Sequence, residues 1–340
     1  MPASPRLLHL LNGDCTADQL RRSDVPGTLA VWADVLHEGP VPGEDATPEQ
    51  WREVRARFIT DPGYWGAEGS TTYDEALRRY RDWDGALERY PAFDEVVLWF
   101  EHDLCDQLIL ARHLAWFARR DLARTRLSLI CIGAFPGVEP FHGLGQLSPA
   151  QLASLLGTRQ LVTTRQSELG RAVWQAFTGP DPAKLERLLA RDTSALPFLA
   201  GALRRYLQEF PTVENGLPRT ERHVLDAVAD APRSMDELLP VIQGKEERVF
   251  MGDATFWARV RRLAGGPHPL VTFEGRAGAG RRLPNWLVRI TPEGRDVVAG
   301  TSDWVRLNGI DRWLGGAHLV GHEVQWRWDE RAGRLRGPGL

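Results

Sequence analysis

The sequence predicts an α/β protein: a mostly parallel sheet in an N-terminal domain, then a helical bridge, then a C-terminal winged helix. Three observations carry this. Over the first 145 residues, apolar runs alternate with helical stretches, the pattern of strands buried between layers of helix. Residues 147–212 show only helical periodicity. Residues 217–300 run helix, helix, helix, strand, strand. The expected domains are 1–146, 147–216, 217–300, and a strand pair with tail at 301–340.

The elements follow in order. Arg6 to Leu11 is an apolar first strand, closed by Asn12-Gly13-Asp14. Thr16 to Gln19 fits a capping box, which predicts a helix through Arg22. Thr28 to Trp32 reads as a second strand. Helices are expected over Pro48–Ile59 and Tyr73–Tyr90, where apolar residues recur among arginines and carboxylates. Glu95 to Phe100 is a third strand, Leu104 to Arg119 a helix, and Arg126 to Ile132 a fourth strand.

The bridge starts with Ser148 as an N-cap and Pro149 at the first helical position. Beyond Leu217, Thr220 is expected to cap a first helix and Ser234 with Glu237 a second. Asp253 begins a third helix, which Gly265-Gly266 ends. Two strands then flank a glycine-rich wing, Arg276 to Arg282. The tail predicts a strand pair bent at Gly315-Gly316, with Trp326 and Trp328 alternating on one face.

Composition narrows the class. With 43% apolar and 26% charged residues, the chain reads as an ordinary globular protein. No apolar run reaches the roughly 18 residues of a membrane span, so no membrane partner is expected. Asn12 and Asp14 interrupt the first apolar run, which reads as a strand and not a signal peptide. Cys15, Cys105 and Cys131 lack metal-ligand spacing, and Cys105 and Cys131, near apolar runs, are expected as buried thiols and not as disulfide partners, which points to the cytoplasm. Of 42 basic residues only Lys184 and Lys245 are lysine, a bias that points to a GC-rich bacterial genome. From Leu217 onward 19 basic residues face 16 acidic ones, so this third is mildly basic in a chain of net charge −3.

The stretch WFEHDLCDQL, residues 99–108, holds the chemistry. Asp103 as an N-cap and Asp106 in the first turn would explain themselves as helix-start residues. Glu101 and His102 have no such explanation. In a parallel sheet Asp14, the Asp34–Glu38 segment and Glu101–Asp103 all leave the carboxyl edge, where ligands bind in such folds. Three uses fit this set. It could hold a divalent cation such as Mg or Mn, with Asp14, Asp34 and Glu101 as ligands. It could grip a small polar or phosphorylated ligand through Asn12, Gly13, Asp14, His37, Glu38, Asp103 and Gln107. In an enzyme His102 would move protons beside Glu101.

Several segments resemble the bacterial family built on the domain of unknown function 1835: LNGDCTADQL, ADVLHEGPVP, EHDLCDQL, then LPFLAGALRRYLQEFP, NGLPRTERHVL and the terminal RWLGGAHL…WRWD. The resemblance spans nearly the whole chain. It implies Gly13, Asp14, Asp34, His37, Glu38, Gly39, Pro40, Glu101, His102, Asp103 and Gln107 as pattern residues, without implying an activity.

For the C-terminal third the arginines predict double-stranded DNA as partner. Thr255, Arg259 and Arg262 would enter a groove, and Arg276, Arg281 and Arg282 would meet phosphate. The leading expectation is a DNA-binding regulator with a small-ligand site in the α/β domain. The alternatives are a metal-assisted hydrolase or transferase acting on a phosphate- or nucleotide-like substrate, and a protein-binding adaptor.

Overall fold

The computed structural model describes residues 4–66, 71–275 and 286–338. Its first half is built on a five-stranded sheet. Strand β1 (Leu7–Leu11) is buried along its whole length and leads to helix α1 (Asp14–Arg21). Strand β2 (Thr28–Val31) precedes the two-residue β3 (Gly39–Pro40), α2 (Pro48–Ile59), α3 (Pro62–Trp65) and α4 (Tyr73–Glu88). Then come β4 (Glu95–Glu101), α5 (Leu104–Phe117) and β5 (Arg126–Ile132). The sheet order is β2-β1-β4-β5, all parallel, with Leu11 level with both Val31 and Trp99.

The bridge holds α6 (Pro149–Leu155), β6 (Gln160–Leu161), α7 (Thr164–Phe177), α8 (Ala183–Leu189) and α9 (Leu199–Leu207). It is not wholly helical, because β6 pairs antiparallel with β5 and closes that sheet edge. Two residues are too short a segment for periodicity to reveal.

The sheet is covered on both faces. Leu8, Leu10, Leu98 and Phe100 pack with α5, α7 and α9, while Leu11, Val97, Trp99 and Ile130 pack with α1 and α6. Strands apolar on both sides need this double cover.

A second unit follows: α10 (Arg219–Ala227), β7 (Arg233–Ser234), α11 (Met235–Gln243), α12 (Asp253–Leu263), β8 (Val271–Glu274), β9 (Leu287–Ile290) and α13 (Pro292–Val298). Its strands form an antiparallel sheet in the order β7-β9-β8. Its apolar core runs from Leu217 to Trp304 and is separate from the first except at Phe250, which packs against both.

The chain then returns. Helix α14 (Trp304–Asn308) leads to the hairpin β10 (Ile310–Gly315) and β11 (Ala317–Gly321), turned at Gly315-Gly316. Hairpin β12 (Arg327–Asp329) and β13 (Arg334–Arg336) ends the chain's regular structure. Strand β10 pairs parallel with β3, and Leu314, Leu319, Trp328 and Leu335 join the sheet's core. The tail therefore completes the first unit, here called the body. Residues 217–304 form a module inserted into it.

Two expected caps do not form. Helix α1 begins at Asp14 behind Gly13, so Thr16 lies inside it and is buried. Helix α10 begins at Arg219, and the Thr220 hydroxyl accepts from Arg205 and donates to Glu209. The expected caps at Asp103, Ser148 and Ser234 are present. No helix among the described residues is long and apolar enough to cross a membrane.

Candidate functional site

The turn from β4 into α5 organises the carboxyl edge. The Asp103 carboxylate accepts from the Asp106 N–H at 3.0 Å and so caps α5. Asp106 in turn accepts from the Glu101 N–H at 3.0 Å, and from the Asn12 amide beyond β1. The Gln107 amide donates to the Glu101 carbonyl at 2.7 Å. Glu101 accepts from the Leu144 N–H. Asn12, Glu101, Asp103 and Gln107 are thus brought together.

The Glu101, Asp103 and Asp106 carboxylates each offer an oxygen within 4.8 Å of the others. Among the described residues no guanidinium pairs with them. Burial raises the Glu101 carboxyl to about 8, with the Asp103 charge adding to it, and raises Asp103 to about 6. Asp106 is pushed well up by the same burial and by both neighbours. Near neutral pH the cluster retains protons, or needs a cation to ionise. Its all-oxygen donor set suits a hard divalent ion.

The expected metal trio is not assembled. Asp34 is locked to Arg55 by bonds of 2.7 and 2.8 Å, and neither side chain is exposed. Asp14 is the exposed first residue of α1, and Gly13 is its extended N-cap. Only Glu101 of that trio belongs to the cluster. Its other members are Asp103 and Asp106.

His102 turns away from the carboxylates. Its ring packs against Phe141 and Phe198, at centroid distances of 5.6 and 6.1 Å. Burial, then the Arg248 charge, lowers it to about 4, so it is neutral at pH 7. Among the described residues no carboxylate hydrogen-bonds its ring, and the expected His102–Glu101 proton-transfer pair is not formed.

His37 and Glu38 serve other contacts. His37 Nδ1 lies 3.2 Å from Cys105 Sγ, and its ring meets Phe250 of the module edge-on. Burial lowers His37 to about 4. Glu38 accepts from Arg259 Nε at 2.7 Å and from the Tyr64 hydroxyl. Arg259 also pairs with Glu221 at 3.0 Å and with Glu209. Arg312 reaches Glu209 at 3.0 Å, and Arg205 joins Glu209 to Glu246. This buried ion network links the body, through its sheet edge, bridge helix α9 and tail, to the module.

The expected DNA-reading face is therefore covered. Thr255 is 4% exposed and Arg259 not at all, because α12 lies against the body with Arg259 clamped in the network. Arg261 donates to the carbonyls of Gly63 and Tyr64, each at 2.7 Å. Arg262 is half-buried, with one guanidinium nitrogen lacking a partner and its charge 5.7 Å from the Trp304 ring. Arg276, Arg281 and Arg282 lie outside the described residues.

A cavity of about 420 Å³ opens beside His102 and Leu104, between α9 and the module. Arg204, Arg219 and Arg248 line it and went unnoticed in the sequence. A larger one, about 730 Å³, lies between α2 and β10 and includes Phe58, Tyr64, Arg262 and Trp313. It shares no lining residue with the carboxylate cluster. Comparison of the chain with protein-family models finds no match, and comparison with curated proteins finds no relative.

Proposed function

We propose that the protein is a ligand-responsive DNA-binding regulator, in a form with its DNA-reading helix stowed. In this reading residues 217–304 are a winged helix and α12 is its recognition helix. The order of three helices and a β7-β9-β8 antiparallel sheet supports that assignment. The resemblance to the family built on the domain of unknown function 1835 is kept as part of this proposal.

One observation carries the reading. The module has its own apolar core, yet α12 is held to the body by ionic and polar contacts from Arg259 and Arg261. A unit with its own core can leave as a rigid body, and a polar interface resembles those of transient contacts. Arg259 then acts as a latch, and Arg261 and Arg262 with the wing arginines would meet DNA.

The test is an anisotropy titration of labelled genomic duplex with the wild type and with Glu38→Gln. The variant should bind at least tenfold tighter at low salt, with affinity falling steeply as salt rises. A folded variant with a loosened module and no salt-sensitive DNA binding would defeat the regulator reading.

A second reading rests on the carboxylate cluster. Here Glu101, Asp103 and Asp106 hold Mg or Mn and the protein hydrolyses or transfers a phosphate ester. Magnesium should then raise the melting temperature more at pH 8 than at pH 5, and Asp106→Asn should abolish the rise. A flat response in both removes this reading.

A further inference from the structure

We infer that the cavity between α9, His102 and the inserted module is a binding site for a small phosphate monoester, of sugar-phosphate or nucleotide size. The charges in its wall support this. The Arg204 side chain makes no hydrogen bond or ion pair among the described residues. Among the described residues Arg248 donates only to the backbone carbonyls of His102 and Phe198, at 3.2 and 3.4 Å, and its guanidinium lies over the Phe198 ring. Both guanidiniums therefore lack a carboxylate.

The one acid in the wall, Glu247, is already paired with Arg219 at 2.9 Å. Arg204 is left without an acid and Arg248 without one at ion-pair distance, so the wall keeps donors for the two negative charges of a phosphate monoester, although the Arg248 charge also acts on the buried Asp103 carboxyl behind it. Guanidinium forks match phosphate oxygens in geometry as well as charge. The volume, about 420 Å³, lies in the range of small-molecule sites and exceeds what a bare anion fills. Near the sheet edge the wall is formed by His102 and the apolar Leu104, neither of them an acid.

The wall comes from both sides of the joint. His102, Leu104 and Arg204 belong to the body, whereas Arg219, Glu247 and Arg248 belong to the module. A ligand held by Arg204 and Arg248 together bridges the two and favours the docked form. Only this direction of regulation rests on the regulator reading; the site itself does not.

Calorimetry with ribose 5-phosphate, adenosine monophosphate, inorganic phosphate and ribose tests the site at fixed ionic strength. One or both esters should bind, with ribose and inorganic phosphate at least tenfold weaker. Arg204→Ala, an exposed position, should weaken the ester at least tenfold without lowering the melting temperature, and Arg248→Ala should do so too. No ester binding at millimolar concentration, or unchanged binding by Arg204→Ala, overturns the site. Inorganic phosphate binding as tightly as the esters overturns the monoester assignment. Ester binding that fails to weaken the DNA affinity of the whole protein overturns the regulatory direction and leaves the site standing.

Discussion

Arg259 Nε lies 2.7 Å from Glu38 Oε1, although 221 positions separate them in the chain, and neither side chain is exposed. Burying such charges is favourable only while each keeps its partner. Burial alone would raise the Glu38 carboxyl, yet Arg259 and Arg312 hold it below the usual carboxylate range. Glu38→Gln should therefore destabilise the protein by about 3–5 kcal/mol, the usual cost of orphaning a buried partner. Urea denaturation measures this. A double variant with Arg259→Gln should lose much less than the sum of the single losses.

Asp34 is a structural residue in this account. Its carboxylate holds Arg55, which also donates to the carbonyls of Glu38 and Pro40 at 2.8 and 3.0 Å. Asp34→Ala should cost about 3–5 kcal/mol for the same reason. Ester affinity in the folded fraction should stay at the wild-type value. A selective loss of ligand or cation binding with stability intact would contradict this.

The carboxylate cluster gives a pH signature. A carboxyl raised from 4.5 to about 8 binds its proton more tightly folded than unfolded. Stability from this source is present below pH 4.5 and is lost as pH rises toward 8. Glu101→Gln removes the ionisation. The variant should gain stability relative to wild type between pH 5 and pH 8.5, read as a shift in urea midpoint. An equal midpoint difference at both pH values counts against it.

The buried histidines pull the other way. His37, His102 and His223 are each lowered from 6.5 to about 4, with burial the first cause. Their unfolded forms take up protons that the folded forms refuse. Stability present above pH 6.5 is lost as pH falls toward 4. Replacing His37 by asparagine should flatten that acid limb, whatever it does to stability at pH 7.

Gly39 sits at φ +70°, and a Cβ there would collide with the Phe58 ring. Its pairing with Leu314 joins β3 to the returning tail. Gly39→Ala should lose about 1–3 kcal/mol from backbone strain alone, and the melting temperature reads the loss.

The sheet was legible because its strands are apolar on both faces and its helices keep a clear period. Helix α2 has the bounds its pattern gave, Pro48–Ile59. The shared carboxyl edge was legible too, and it brings Asn12 to Asp106 across 94 positions. Side-chain choice at that edge was not. Nothing local marks Asp34 as the partner of Arg55, or Arg259 as facing inward, because each pair joins residues far apart in sequence. The arginines of α12 looked like a surface stripe because periodicity reveals an apolar face and is blind to a buried ionic one. A separate second unit was legible in the sequence, but the return of the tail was not, since Leu314 and Trp328 join the first core after the second has closed.

Hydrogen exchange along the chain, compared between the wild type and Glu38→Gln, tests the central claim most directly. The claim is that the Glu38–Arg259 pair holds α12 against the body while each unit keeps its own core. Exchange should quicken most in the edge of α3 and at the exposed turns of α12, and less in β1 and β4, which report only the global loss. Unchanged exchange at α12, or a rise at α12 no larger than that in β1 and β4, would contradict it.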